Sequence, residues 1–143
     1  MIPEYEYVGH ELDQAALATF IQEGHYDRHL RRARLIYRER YDALRSAVER
    51  ELHGVLALEP SAAGTHVVAR LEGSLFSRTR SHKAVMALTG LAAEEGLVIF
   101  PLSRYCLEPP PRDGLVLGYG SLKPRQIAVS IRKLAHVIAR LSR

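Results

Sequence analysis

The sequence predicts an α+β fold: a small, mostly antiparallel sheet of three to four strands with helices packed on one face. Three observations predict it. Apolar residues recur every three or four positions over residues 26–52 and again after Pro124, the spacing of amphipathic helices. Short apolar runs bounded by Gly and Pro, at 55–58, 66–71, 97–100 and 115–119, read as strands. These runs stand too close together for repeated strand–helix–strand crossovers, which favours antiparallel pairing.

Residues 1–11 read as an arm or linker, with Glu4, Tyr5, Glu6 and Tyr7 alternating as in an extended piece, and residues 12–143 as one domain. Asp13 is placed to cap a short helix over 14–23 that has Leu17, Phe20 and Ile21 on one face, and Gly24 ends it. The long helix over 26–52 carries Leu30, Ala33, Tyr37, Tyr41, Leu44, Val48 and Leu52 on a single stripe. Its other face is charged, and Asp27 with Arg31, Arg38 with Asp42, and Arg45 with Glu49 sit four apart, within reach across a turn. The run RHLRRAR within it has two readings, a phosphate contact or the solvated face of an amphipathic helix.

Strands over 55–58 and 66–71 follow, separated by Pro60 and Gly64. Residues 73–80 are polar and basic and are expected to form a loop. Ser81 then caps a helix over 82–95 with Val85, Leu88, Leu91 and Ala92 inward. Glu94 and Glu95 lie at the negative end of that helix, so its last turn is expected to fray. Pro124 suits the first turn of the final helix, although Lys123 before it is a poor cap. Ile127, Ile131, Leu134, Ile138 and Leu141 form the apolar stripe of that helix.

The stretch 97–122, LVIFPLSRYCLEPPPRDGLVLGYGSL, organises the chain. Pro101 is expected to stop its first strand. Pro109, Pro110 and Pro111 supply no amide donors, so the intervening loop stands apart from the sheet. Such a loop presents side chains, here Ser103, Arg104, Tyr105 and Arg112.

At 143 residues the chain is long enough to bury a core without disulfides or metals. A hydrophobic fraction of 47% and a charged fraction of 25% are those of a soluble globular protein. No apolar run reaches about 18 residues, so a spanning helix is not expected. The acidic N-terminus lacks the features of a secretion signal. The lone Cys106 has no internal disulfide partner, which fits a cytoplasmic setting. The net charge of +4 permits an acidic partner, but the bases are interleaved with acids and no zinc-finger or aromatic–basic signature is present. The seven histidines are scattered without a ligand spacing, and His66 reads as structural rather than as a ligand or proton carrier.

Two segments carry a family resemblance. The pattern PLS-x-Y, then a Pro-rich stretch, then GL-x-LGY at 101–119, and the segment QAALATFIQEGHYDRHLRRARLIYRERYDAL at 14–44, resemble the C-terminal end of MocR-type regulators. Gly64-Thr65-His66 resembles that family's Gly-Leu-His. These regulators fuse a GntR-type winged-helix domain to a fold-type I aminotransferase-like domain, and the resemblance implies the fold of its small C-terminal domain. It also implies pyridoxal phosphate in the full-length family, bound through a lysine upstream of everything matched. None of Lys83, Lys123 and Lys133 has a phosphate cup nearby in sequence, so no cofactor is expected in this chain alone.

Small domains of this type often supply an arginine that clamps a substrate carboxylate. Val116 stands where that arginine falls in many aminotransferases. Arg112 is the first candidate for a substitute and Arg104 the second, with Ser103 and Tyr105 as candidate pocket residues. The segment SLFSRTRSHKAVMALTG is longer and more basic than the family's usual turn into this helix. The leading expectation is therefore a C-terminal fragment of such a regulator, catalytically incomplete alone, which touches DNA only through a separate N-terminal domain. The alternatives are an interaction module that associates with itself or with a large aminotransferase-like domain, and a nucleic-acid binder using the basic helix.

Overall fold

The computed structural model describes residues 11–60, 64–73, 81–108, 110 and 113–141. The expected loop over 74–80, the Ser81 side-chain cap and Arg112 lie outside the described residues. The elements are helices α1 (Glu11–Gln22) and α2 (His25–Leu52), strands β1 (Leu56–Leu58) and β2 (His66–Leu71), helix α3 (Ser81–Glu94), strand β3 (Phe100–Pro101), a single 3-10 turn (Leu102–Tyr105), strand β4 (Leu115–Gly118) and helix α4 (Pro124–Leu141). The chain forms two compact units, Met1–Ile36 and Tyr37–Arg143, with the boundary inside α2.

In the first unit, Gly24 adopts φ +74° between α1 and α2, a left-handed turn that glycine takes without penalty. The Phe20 ring stacks on His25 at 5.5 Å. No described residue of α1 is buried.

The second unit holds the core. Its sheet runs in the order β1-β2-β4-β3, and all pairs are antiparallel. The register sets Val67 opposite Leu117 and Ala69 opposite Leu115. Strand alternation then puts Val67, Ala69, Leu71, Leu115 and Leu117 on one buried face. Leu44, Val48 and Leu52 of α2, Val85 and Leu88 of α3, and Ile127, Ile131, Leu134 and Ile138 of α4 pack with them as one cluster. Among the described residues, no helix is long and apolar enough to cross a membrane.

Several local expectations change. The stripe of α2 is buried at Leu44, Val48 and Leu52, whereas Tyr37 is exposed and Leu30, Ala33 and Tyr41 are half-buried. Arg45 reaches Asp42 at 4.0 Å, and Glu49 meets His53 at 2.8 Å instead of Arg45. Glu95, expected to loosen the end of α3, accepts Arg140 Nη1 at 3.2 Å through its carboxylate and Lys133 Nζ at 3.0 Å through its backbone carbonyl. Two cations of α4 thus cover the negative end of α3. Lys123 is no side-chain cap, but the side-chain Oε1 of Gln126 accepts the Lys123 N–H at 2.9 Å, one half of a capping box.

Strand β3 is shorter than the run 97–100 and includes Pro101 instead of stopping before it. Pro101 pairs with Leu115, whose own N–H and C=O serve β2. The missing proline donor therefore faces the sheet edge, where no ladder bond is lost.

Candidate functional site

Two features flank β4, a buried carboxylate at its start and an apolar groove at its end. The carboxylate is Asp113, 4% exposed. Its Oδ1 accepts the Gly114 N–H at 2.8 Å and the Ser103 N–H at 3.0 Å. Its Oδ2 accepts the Ser103 hydroxyl at 2.8 Å and lies 2.9 Å from His82 Nδ1. A carboxylate only accepts, so His82 carries its proton on Nδ1 in this contact. Burial pushes the Asp113 carboxyl up, but the bonds from Gly114, Ser103 and His82 outweigh it and hold the group below the usual aspartate value. Gly114 is required beside it, because a Cβ there would meet the Ala69 carbonyl oxygen at 2.8 Å. The cluster ties the 3-10 turn and α3 to the start of β4. It is no nucleophile–base pair, since Ser103 and His82 both turn to the same carboxylate.

The end of β4 is held by Tyr119. Its N–H donates to Thr65 O at 2.9 Å, and its hydroxyl donates to Gly64 O at 2.9 Å. Its ring tilts against Tyr41 at 5.7 Å. Burial first, and the neighbouring Tyr41 second, push its phenol above the ordinary tyrosine value. Arg40 donates from α2 to the Gly120 carbonyl. Gly120 packs so closely on Thr65 that a Cβ would lie 2.6 Å from the threonine Cβ. The His66 ring covers Gly118 on the open face of the sheet, and its Nδ1 lies 3.1 Å from Thr65 Oγ1. Among the described residues, no group of three metal-ligating side chains comes together.

Between this corner, segment 96–100 and α4 lies a groove of about 640 Å³. Leu97, Ile99, Phe100, Val116 and Leu122 form much of its wall, with His66 and Ser130 among its polar groups. Of the loop residues singled out in the sequence, Ser103 is engaged with Asp113, the Arg104 guanidinium sits over the Phe100 ring at 4.6 Å, and Tyr105 is 61% exposed. None of these three lines the groove, although Phe100 links Arg104 to it. Val116 does line it. Asp113 was not singled out in the sequence. The available signal was an Asp-Gly pair directly after a proline-rich loop, a common site for side-chain-to-backbone bonding.

The four-stranded antiparallel sheet and its helices are shared in fold with solved aminotransferases. The α-aminoadipate aminotransferase of Thermus thermophilus, solved with N-(5'-phosphopyridoxyl)-L-leucine, matches 92% of this chain and 31% of its own at TM-score 0.74 and 24% identity. An aspartate transaminase of Corynebacterium glutamicum matches 78% of this chain and 25% of its own at TM-score 0.61 and 15% identity. These likenesses are of fold.

In sequence, the chain is 36% identical over 121 residues to a probable rhizopine catabolism regulatory protein, MocR, of Rhizobium meliloti. It is 32% identical over 121 residues to the HTH-type transcriptional regulator YhdI of Bacillus subtilis. Each match covers 85% of this chain, and the chain spans about a quarter of the length of these curated relatives, 23% and 24%. No protein-family model matches. Relatives and structural neighbours together fit a MocR-type, aminotransferase-like domain.

Proposed function

We propose that the chain serves as the small capping domain of a MocR-type regulator and is catalytically incomplete by itself. The observation that carries this reading is the placement of its lysines. Lys83, Lys123 and Lys133 are all exposed, none lines the groove, and Lys133 is bonded to the Glu95 carbonyl. A lysine that holds pyridoxal phosphate needs a walled site and partners for the phosphate and the ring nitrogen. The surroundings of these three lysines do not fit that group. In this reading pyridoxal phosphate belongs to the remainder of a full-length regulator in the cytoplasm, and DNA is bound by its N-terminal domain.

The capping domain contributes a wall and a cation. Arg112 is the first candidate to meet an effector carboxylate and Arg104 the second, because Val116 supplies no charge on the groove wall. The test is to mix the chain with pyridoxal phosphate, reduce with borohydride and locate adducts by mass spectrometry. The expected result is only scattered, substoichiometric labelling of the three lysines. One stoichiometric adduct at a single lysine overturns the reading.

A further inference from the structure

The capping-domain reading gives no part to the run RHLRRAR. That run lies in the first unit, on the opening turns of α2. Four arginines, Arg28, Arg31, Arg32 and Arg34, fall within residues 25–36 against one carboxylate, Asp27. Arg28, Arg31 and Arg32 stand at i, i+3 and i+4 and so share one helical face, which Leu35 continues. Arg34 lies at the edge of that face, three residues from Arg31. All four are exposed.

The charge on this face is not cancelled within the molecule. Asp27 stands four residues before Arg31, yet among the described residues no ion pair joins them, and none reaches Arg32 or Arg34. Arg28 Nη1 lies 3.5 Å from His25 Nδ1, and His25 Nε2 meets Glu23 at 3.2 Å. Elsewhere Arg50 pairs with Glu51, Arg70 with Glu59 and Arg140 with Glu95. Like charges three and four residues apart work against a helix, a cost that an anion laid on this face removes.

We propose that this face of α2 takes the phosphate backbone of duplex DNA, as a sequence-independent contact in addition to the one assigned to the N-terminal domain. A guanidinium fork matches two phosphate oxygens with two parallel hydrogen bonds. The duplex presents one negative charge per about 1.7 Å of its axis, and Arg28 and Arg34 are about 9 Å apart along the helix, so the face meets several phosphates at once. Choosing duplex DNA over another polyanion rests on the MocR-type reading, since a helix-turn-helix regulator works on the duplex. An anionic membrane fits less well. An interfacial helix buries a broad apolar side in lipid, whereas Leu30 and Ala33, on the far side of α2, are half-buried in the protein.

The test uses the full 143-residue chain and a fluorescein-labelled duplex of random sequence, with binding read by fluorescence anisotropy between about 50 and 200 mM salt. Three neutralised phosphates predict a log–log slope of about −2.7, a loss of roughly 40-fold across that range. Arg31→Gln/Arg32→Gln should cut the slope to about −0.9, and Arg31→Lys/Arg32→Lys should keep it. Gln and Lys have nearly the helix propensity of Arg, so α2 is expected to form in both variants, which circular dichroism checks. Lys83→Gln/Arg125→Gln removes the same charge from exposed positions elsewhere and should leave the slope unchanged. The proposal is overturned by binding no tighter than about 100 μM at about 50 mM salt, by an unchanged slope in the α2 glutamine variant, or by an equal fall in the Lys83 and Arg125 control. Loss of the slope in the lysine variant, or binding to phosphatidylglycerol vesicles without binding to DNA, overturns it as well. The two readings fail separately. A stoichiometric lysine adduct removes the capping-domain reading whatever the salt slope, whereas a missing slope without such an adduct removes only the DNA contact.

Discussion

Replacing Asp113 by alanine removes the acceptor for two backbone N–H groups, one hydroxyl and the His82 ring N–H at once. The Ser103 hydroxyl and the exposed His82 ring can turn towards water, so their loss weighs little. The two N–H groups are held near the protein interior, that of Gly114 in a buried setting, and each unsatisfied donor costs about 1–3 kcal/mol. The expected loss is therefore roughly 2–6 kcal/mol in total. With a urea slope of about 2 kcal/mol/M, the unfolding midpoint falls by roughly 1–3 M. Asp113→Asn keeps one acceptor oxygen and should lose less.

The two variants also separate charge from hydrogen bonding. The folded Asp113 carboxyl titrates below its ordinary 3.8. Its contribution is full above that value and disappears as the pH falls through the lower, folded value. The stability gap between the wild type and Asp113→Asn should therefore narrow on acidification below about pH 4. Urea unfolding followed by circular dichroism at neutral and acid pH reads both effects. A midpoint shift below about 0.5 M for Asp113→Ala would refute the claim that this carboxylate fastens the loop to the sheet.

Two further substitutions test the corner after β4. Gly120→Ala should destabilise by about 1–3 kcal/mol through the clash with Thr65, and adding Thr65→Gly should recover much of that loss in the double variant. Tyr119→Phe should cost about 0.5–1.5 kcal/mol through the lost bond to Gly64. Because the folded phenol titrates above 10.0, the wild type should also lose stability as the pH rises past that value, and Tyr119→Phe should lack that component.

The parts of the fold legible in the sequence were those where one element's pattern decides its own burial. Val85, Leu88 and Ala92 of α3 and Ile127, Ile131, Leu134 and Ile138 of α4 are buried as their helical spacing indicates, while Leu91 and Leu141 of the same stripes are half-buried. The strand over 66–71 alternates and lies where its pattern put it. What escaped depends on a partner distant in the chain. Tyr37 shares the helical phase of Leu44, and phase alone cannot say where a stripe stops being covered. Pro101 joins a strand because Leu115 happens to face away from it. Asp113 becomes a hub only when the turn at Ser103 and the start of α3 meet at one carboxylate. The groove is likewise lined by segments distant in the chain, 96–100, 116–122 and α4, which no local pattern brings together.

The most direct measurement exchanges domains. The 121-residue matched region of the R. meliloti relative is replaced by the corresponding residues of this chain, and the hybrid is incubated with pyridoxal phosphate and reduced. A capping domain predicts a folded hybrid with one trapped adduct, on a lysine of the R. meliloti portion. A hybrid that does not fold while both parents do, or an adduct on Lys83, Lys123 or Lys133, contradicts it.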